Sequence, residues 1–179
     1  MKQGSWTFVL ALWLVTTIAH AQELPPGVMP MAGKPAPAMQ LLDFDGKPYN
    51  LADTAGHWRF VHFWASWCGP CRREMPSIQK MIPLMDGSGI EFVLVNTAET
   101  EDEVFTFLGI VAPDLVPLMD SDGVVTEVWQ PRGLPASFLV DPDGRIQYQA
   151  LGGREWEQPA YLEFLRSLPA TAASPAGSK

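Results

Sequence analysis

The chain has 179 residues, with 12 basic side chains against 20 acidic ones and a formal charge of −8. An acidic chain without a basic run argues against nucleic acid and anionic membrane surfaces as partners. Only two of its residues are cysteine, and a chain of this length can bury an adequate core without disulfide staples.

The first residues set the compartment. MKQGSWTFVLALWLVTTIAHAQ carries one early charge, Lys2, an apolar run from Trp6 to Ile18, and Ala19-His20-Ala21 at its close. That is the layout of a secretory signal peptide cleaved after Ala21, and the run is short of the ~20 residues that span a bilayer. The expected location is the periplasm, with an uncleaved membrane anchor as the minor alternative. About one domain remains. Residues 22–32, dense in Pro, Gly and Met, read as a flexible leader. Met29, Met31 and Met39 lack nearby histidines or cysteines and so do not suggest a metal site.

The folded domain is expected over residues 33–168. QLLDFDGKPYNL gives two short strands around Asp45-Gly46, a hairpin signal. RFVHFWA is a nearly continuous apolar run, as in a central strand covered on both faces. RREMPSIQKMIPLM follows with Met75, Ile78, Ile82 and Met85 at helical spacing, and Pro76 and Pro83 are expected to kink or end that helix. GIEFVLVNTAE reads as a second buried strand. ETEDEVFTFLGI reads as a helix capped by Thr100. LVPLMD is a short strand and GVVTEVWQ a short helix. GLPASFLVDPDGRIQYQALGG gives two strands joined by Asp141-Pro142-Asp143-Gly144. EQPAYLEFLRSL is an amphipathic helix, and residues 169–179 read as a disordered tail. Alternating strands and helices closing on a hairpin and a helix predict an α/β domain with a mixed central sheet.

Both cysteines lie in Trp67-Cys68-Gly69-Pro70-Cys71, between the buried strand and the helix. If the helix starts near Cys68, three-residue spacing puts both sulfurs on one face, within bonding reach. Cys68 then lies at the helix N-terminus, where unpaired N–H groups and the macrodipole favour a thiolate, the attacking species. Cys71, one turn in, is expected to be more buried and to keep its proton until needed. The cycle this predicts has two exchanges: Cys68 attacks a substrate disulfide, and Cys71 attacks the mixed disulfide and releases reduced substrate. Structural zinc would need four ligands, and beyond the cysteines the mature chain offers only His57 and His62. No metal and no cofactor are expected. A two-thiolate copper(I) site is the competing reading of the same pair.

WCGPC, with Phe63-Trp64-Ala65 before it and Pro76 five residues after Cys71, resembles a thioredoxin-fold active site. GKPAPAM, DFDGKPYNLAD, CRREMP and GLPASFLVDPDGRI extend the resemblance to the TlpA/ResA-like branch of exported thiol–disulfide oxidoreductases, close to the redoxin group, over roughly Gly33 to Leu168. The resemblance implies a thioredoxin fold with an N-terminal β-hairpin extension and a central βα insertion. It also implies a reductase working outside the cytoplasm on apocytochrome c or copper-site proteins, fed by a membrane-embedded electron donor. Pro135, after Leu134, falls where such proteins carry a cis proline that faces the disulfide and opens the Leu134 backbone to substrate. Glu74 matches the acid this branch places near its active site, where it would exchange a proton with Cys71; the alternative is a solvated glutamate in the Arg72-Arg73-Glu74 run. His62 departs from the pattern, which has a buried aspartate in thioredoxin and an asparagine in many TlpA-like proteins. It would either relay the Cys71 proton or serve as a neutral core histidine.

Three other functions compete. A DsbA-like oxidase would run the same cysteines in the opposite direction, which the Gly69-Pro70 dipeptide of reducing thioredoxins disfavours. A peroxiredoxin-like peroxidase would carry threonine where this chain has Ala65. A copper(I) chaperone would use Cys68 and Cys71 as ligands. A single CxxC with no obvious apolar helix to share suggests a monomer.

Overall fold

The computed structural model describes residues 23–172. The signal peptide expected at residues 1–21, and the end of the tail, lie outside the described residues. Eight strands form one mixed sheet in the order β1-β8-β7-β4-β5-β6-β2-β3. The strands are β1 (Val28–Pro35), β2 (Gln40–Asp43), β3 (Pro48–Asn50), β4 (Trp58–Trp64), β5 (Ile90–Thr97), β6 (Leu118–Asp120), β7 (Ala136–Val140) and β8 (Arg145–Leu151). The helices are α1 (Gly69–Leu84), α2 (Glu101–Val111), α3 (Val124–Trp129) and α4 (Pro159–Ala172).

Strand β4 runs parallel to β5 and antiparallel to β7, so it lies in the middle of the sheet. All seven of its residues are buried. Alternation sends Phe60, His62 and Trp64 to one face and Val61 and Phe63 to the other. Phe60 and Trp64 join the larger core, with Met75, Ile78, Leu108, Trp156 and Leu165, under α1, α2 and α4. Val61 and Phe63 join the smaller core with Trp129 and Phe138 on the side of α3. This two-faced burial is why the run is apolar throughout, and His62 is the polar exception on the α1 face.

The expected hairpin around Asp45-Gly46 is β2–β3, and it pairs through β2 with β6. The unit β6–α3 sits between α2 and β7 and widens the sheet, matching the expected βα insertion. The helix α2 opens with a full capping box between Thr100 and Glu103.

Four expectations need correction. Residues 28–32 of the expected flexible leader are instead the start of strand β1, which is paired antiparallel with β8 and irregular between Pro30 and Lys34. Proline is tolerated there because β1 is an edge strand whose outward groups need no ladder partner. Met39, grouped with that leader, is 1% exposed and part of the smaller core. Pro76 does not end α1, which runs on to Leu84 and closes one residue after Pro83, as expected of that proline; the buried face of Met75, Ile78 and Met81 holds the helix across the missing Pro76 N–H. The last helix reaches Ala172, four residues past the boundary at Leu168. Among the described residues no helix is long and apolar enough to cross a membrane.

Candidate active site

The turn after β4 carries the cysteines. Cys68 is the N-cap of α1, with extended backbone (φ −81°, ψ 111°), and its Sγ accepts a hydrogen bond from the Cys71 N–H at 3.3 Å. Proline in the first turn of α1 is pre-set for a helix start. The Cα atoms of Cys68 and Cys71 are 5.2 Å apart and the two sulfurs are joined in a disulfide. Cys71 is fully buried, Cys68 is nearly so, and Trp67 before them is 65% exposed. An attacking sulfur at a helix N-terminus and a buried resolving sulfur one turn in is the asymmetry that thiol–disulfide exchange requires.

The Leu134–Pro135 peptide bond is cis. Ala136, the next residue, is the register partner of Phe63, so the bond sits at the end of the sheet from which the cysteine turn leaves. The Pro135 carbonyl accepts from the Gly152 N–H at 2.9 Å, tying this turn to the loop after β8. That loop also touches α1: a Cβ on Gly153 would lie 3.0 Å from the Pro70 carbonyl oxygen. A side chain at Gly153 would press on the Pro70 backbone, so glycine suits this close approach.

Glu74 is not solvated. It is 2% exposed, although Arg72 and Arg73 beside it are exposed. Its Oε1 accepts from Trp156 Nε1 at 2.6 Å and from the Arg154 backbone N–H at 3.2 Å. Burial pushes the Glu74 carboxyl up to about 8, against the opposing pull of those hydrogen bonds and of the Arg154 guanidinium. His62, one strand below, is fully buried with Nδ1 2.9 Å from Ser137 Oγ. Burial, and then Arg154, hold His62 down to about 3. His62 Nε2 and Glu74 Oε2 lie 3.8 Å apart, within ion-pair reach. Burial works against charge on both groups, which disfavours an ion pair across this contact. The one hydrogen bond of the His62 ring is thus to a side-chain hydroxyl and not to backbone.

Several residues of the site gave no signal in the sequence. Glu99, 6% exposed, follows Ala98, whose φ of 55° is in the left-handed region. Its Oε2 accepts from the Ser66 backbone N–H at 2.6 Å and from Asn96 Nδ2 at 2.7 Å, and its Oε1 from the Ser66 hydroxyl. From the other side Arg72 donates to the Ser66 carbonyl at 3.0 Å while its guanidinium lies over the Phe107 ring. Ser66, two residues before Cys68, is thus clamped between the turn after β5 and the first turn of α1. Glu99→Gln sets an amide donor against these donors, and each buried donor left without a partner costs about 1–3 kcal/mol. The expected result is a denaturation midpoint lowered by about 1–2 kcal/mol of stability, with faster amide exchange at Ser66. Trp156, Arg154 and Ser137 were likewise not legible, because they reach the site from 75 to 82 positions downstream of their partners.

A parallel–antiparallel sheet with a CxxC at the first helix after its central strand, and a cis proline at the same end, defines a thioredoxin-fold thiol–disulfide oxidoreductase. Residues 31–165 match the Redoxin family, and the chain belongs to it, on its TlpA/ResA-like side. It is 32% identical over 126 residues to the thiol-disulfide oxidoreductase ResA of Bacillus thuringiensis, covering 70% of this chain and 73% of that one. It is also 32% identical over 114 residues to the ResA of Bacillus subtilis, covering 64% of each. Among solved structures, a Chlorobium tepidum protein assigned as thiol:disulfide interchange protein DsbE superposes with a TM-score of 0.65 at 31% identity, over 78% of this chain and 96% of that one.

Proposed function

We propose that the protein is an extracytoplasmic disulfide reductase, which takes electrons from a membrane-embedded dithiol donor and passes them to disulfides of exported proteins. The observation that carries this is the Cys68–Cys71 disulfide at the start of α1, with the acidic side chain of Glu74 buried one turn beyond Cys71. Export is supported by the signal-peptide pattern of residues 1–21. The reducing direction is supported by Gly69-Pro70 between the cysteines. The substrate class is that of the branch: cysteine pairs of apocytochrome c or of copper-site proteins, which must be reduced before heme or metal is attached. One such domain acting alone, as a monomer, suffices for this exchange.

In the first step the Cys68 thiolate attacks a substrate disulfide, the substrate S–S bond breaks, and its electron pair leaves on the departing sulfur. Cys71 then gives up its proton, attacks Cys68 Sγ and forms the bond seen here, and the second substrate sulfur leaves. The deciding experiment quenches cells in acid and alkylates free thiols, which reads the steady-state redox state of the pair. A mostly reduced pair is the expected result. A mostly oxidised pair overturns the direction and makes the domain a donor of disulfides.

A further inference from the structure

Two buried polar atoms in this site lack hydrogen-bond partners and face each other: His62 Nε2 and Glu74 Oε2. The other atom of each group is already engaged. Glu74 Oε1 accepts two N–H groups, which leaves Oε2 as the oxygen free to carry a proton. His62 Nδ1 is bonded to Ser137 Oγ. Ring position is fixed as well, since His62 stacks on Phe60 with an interplanar angle of 16° and Phe60 is held edge-on by Trp156. The gap of 3.8 Å needs to close by about 1 Å to become a hydrogen bond.

We propose that His62 is a positioning residue for the exchange reaction: its Nδ1–H donates to Ser137 Oγ, its Nε2 accepts a hydrogen bond from the Glu74 Oε2–H, and Ser137–His62–Glu74 thereby keeps that proton ready for Cys71. The inference rests on the function proposed above. When a donor thiolate attacks Cys68 Sγ, the Cys68–Cys71 bond breaks and its electron pair goes to Cys71. Glu74 Oε2 then gives its proton to the Cys71 sulfur, and the carboxylate left behind keeps its bonds from Trp156 and Arg154. When Cys71 later attacks the mixed disulfide with substrate, its proton returns to Glu74 Oε2, which again donates a hydrogen bond to His62 Nε2. His62 stays neutral throughout.

The groups around His62 fit this assignment. From α1 it meets Glu74, and the disulfide of Cys71 lies one turn before that acid. From β7 it meets Ser137, and on β5 its register neighbour is the apolar Leu94. Arg154, in the loop after β8, is a cation near enough to act on it, and it opposes protonation of the ring. A neutral acceptor stabilises the protonated acid, so losing it should make Glu74 more acidic.

The test is an infrared titration of the protonated carboxyl band in the resting oxidised protein, with Glu74→Gln to identify the band. In the parent protein the band should titrate near pH 8. In His62→Asn, and separately in Ser137→Ala, the midpoint should fall by about one pH unit, the equivalent of one hydrogen bond. The alkaline side of the kcat/KM profile for disulfide reduction should move by the same amount. Ser137→Ala removes only a hydroxyl and decides the matter if His62→Asn does not fold. Midpoints unchanged in both variants overturn the proposal, and so does a shift in His62→Asn with none in Ser137→Ala. Because the titration needs no turnover, it fails or succeeds separately from the direction of electron flow.

Discussion

Cys68→Ser will lose disulfide reduction by about 10³-fold or more, whereas Cys71→Ser will attack substrate once and stop. The asymmetry follows from position. Cys68 caps α1 at the edge of the exposed Trp67 turn, so its sulfur is the one a substrate disulfide can meet. Cys71 is fully buried and can reach only the sulfur beside it. Without Cys71 nothing intramolecular resolves the mixed disulfide, so substrate remains covalently attached through Cys68 and can be identified after non-reducing electrophoresis. Equal losses with no trapped species in Cys71→Ser would contradict the assigned order of attack. Trapping on Cys71 in Cys68→Ser would reverse it.

The stability of the oxidised protein should pass through a plateau and then fall as pH rises, because Glu74 and His62 pull in opposite directions. Glu74 has its folded value raised from 4.5 to about 8. Its contribution is fully present below 4.5 and is lost as pH rises toward 8. His62 has its folded value lowered from 6.5 to about 3. Its contribution is present above 6.5 and is lost as pH falls toward 3. Each changes stability by about 1.4 kcal/mol per pH unit inside its window. Between pH 4.5 and 6.5 the slopes cancel, and above 6.5 only Glu74 acts. Stability should therefore drop by about 2 kcal/mol between pH 6.5 and 8. The other shifted carboxylates, Glu103 and Glu157, are lowered and titrate below that interval. In Glu74→Gln the alkaline drop should vanish, and a continuous rise from pH 3 to 6.5 should appear as the His62 slope loses its counterweight. Denaturant titrations at half-unit pH steps measure both curves. A drop that persists in Glu74→Gln assigns it to another group.

What the sequence showed and what it hid divide along the range of the interactions. The strands β4 and β5, the two hairpins, and the helix after the cysteines were legible because each declares itself within a dozen residues, through apolar runs, turn dipeptides and helical spacing. The cysteine pair was legible for the same reason. Strand β1 was missed because Pro, Gly and Met carry no strand period. What makes it a strand is the open edge of β8, which lies more than a hundred residues later. Glu74 could not be told from its exposed neighbours Arg72 and Arg73 by composition. Only the rotation of α1 over the sheet turns it inward, and only Trp156 and Arg154 supply donors to its carboxyl. Glu99 was silent for a similar reason: its partners Ser66 and Asn96 come together only when the turn after β5 folds back beneath the turn after β4.

The contact between Gly153 and Pro70 has a consequence for a chain that emerges from its N-terminus onward. Trp67 through Cys71, and the strand beneath them, exist well before residues 152–156 have been made. Until that late loop closes over α1, Glu74 has neither its Trp156 nor its Arg154 donor, and Arg154 does not yet oppose a charge on His62. An unfinished or C-terminally clipped chain thus carries both thiols while the acid one turn beyond them lacks its two donors. The cysteines come from the early part of the chain, and the late part completes the hydrogen bonding around the acid beside them.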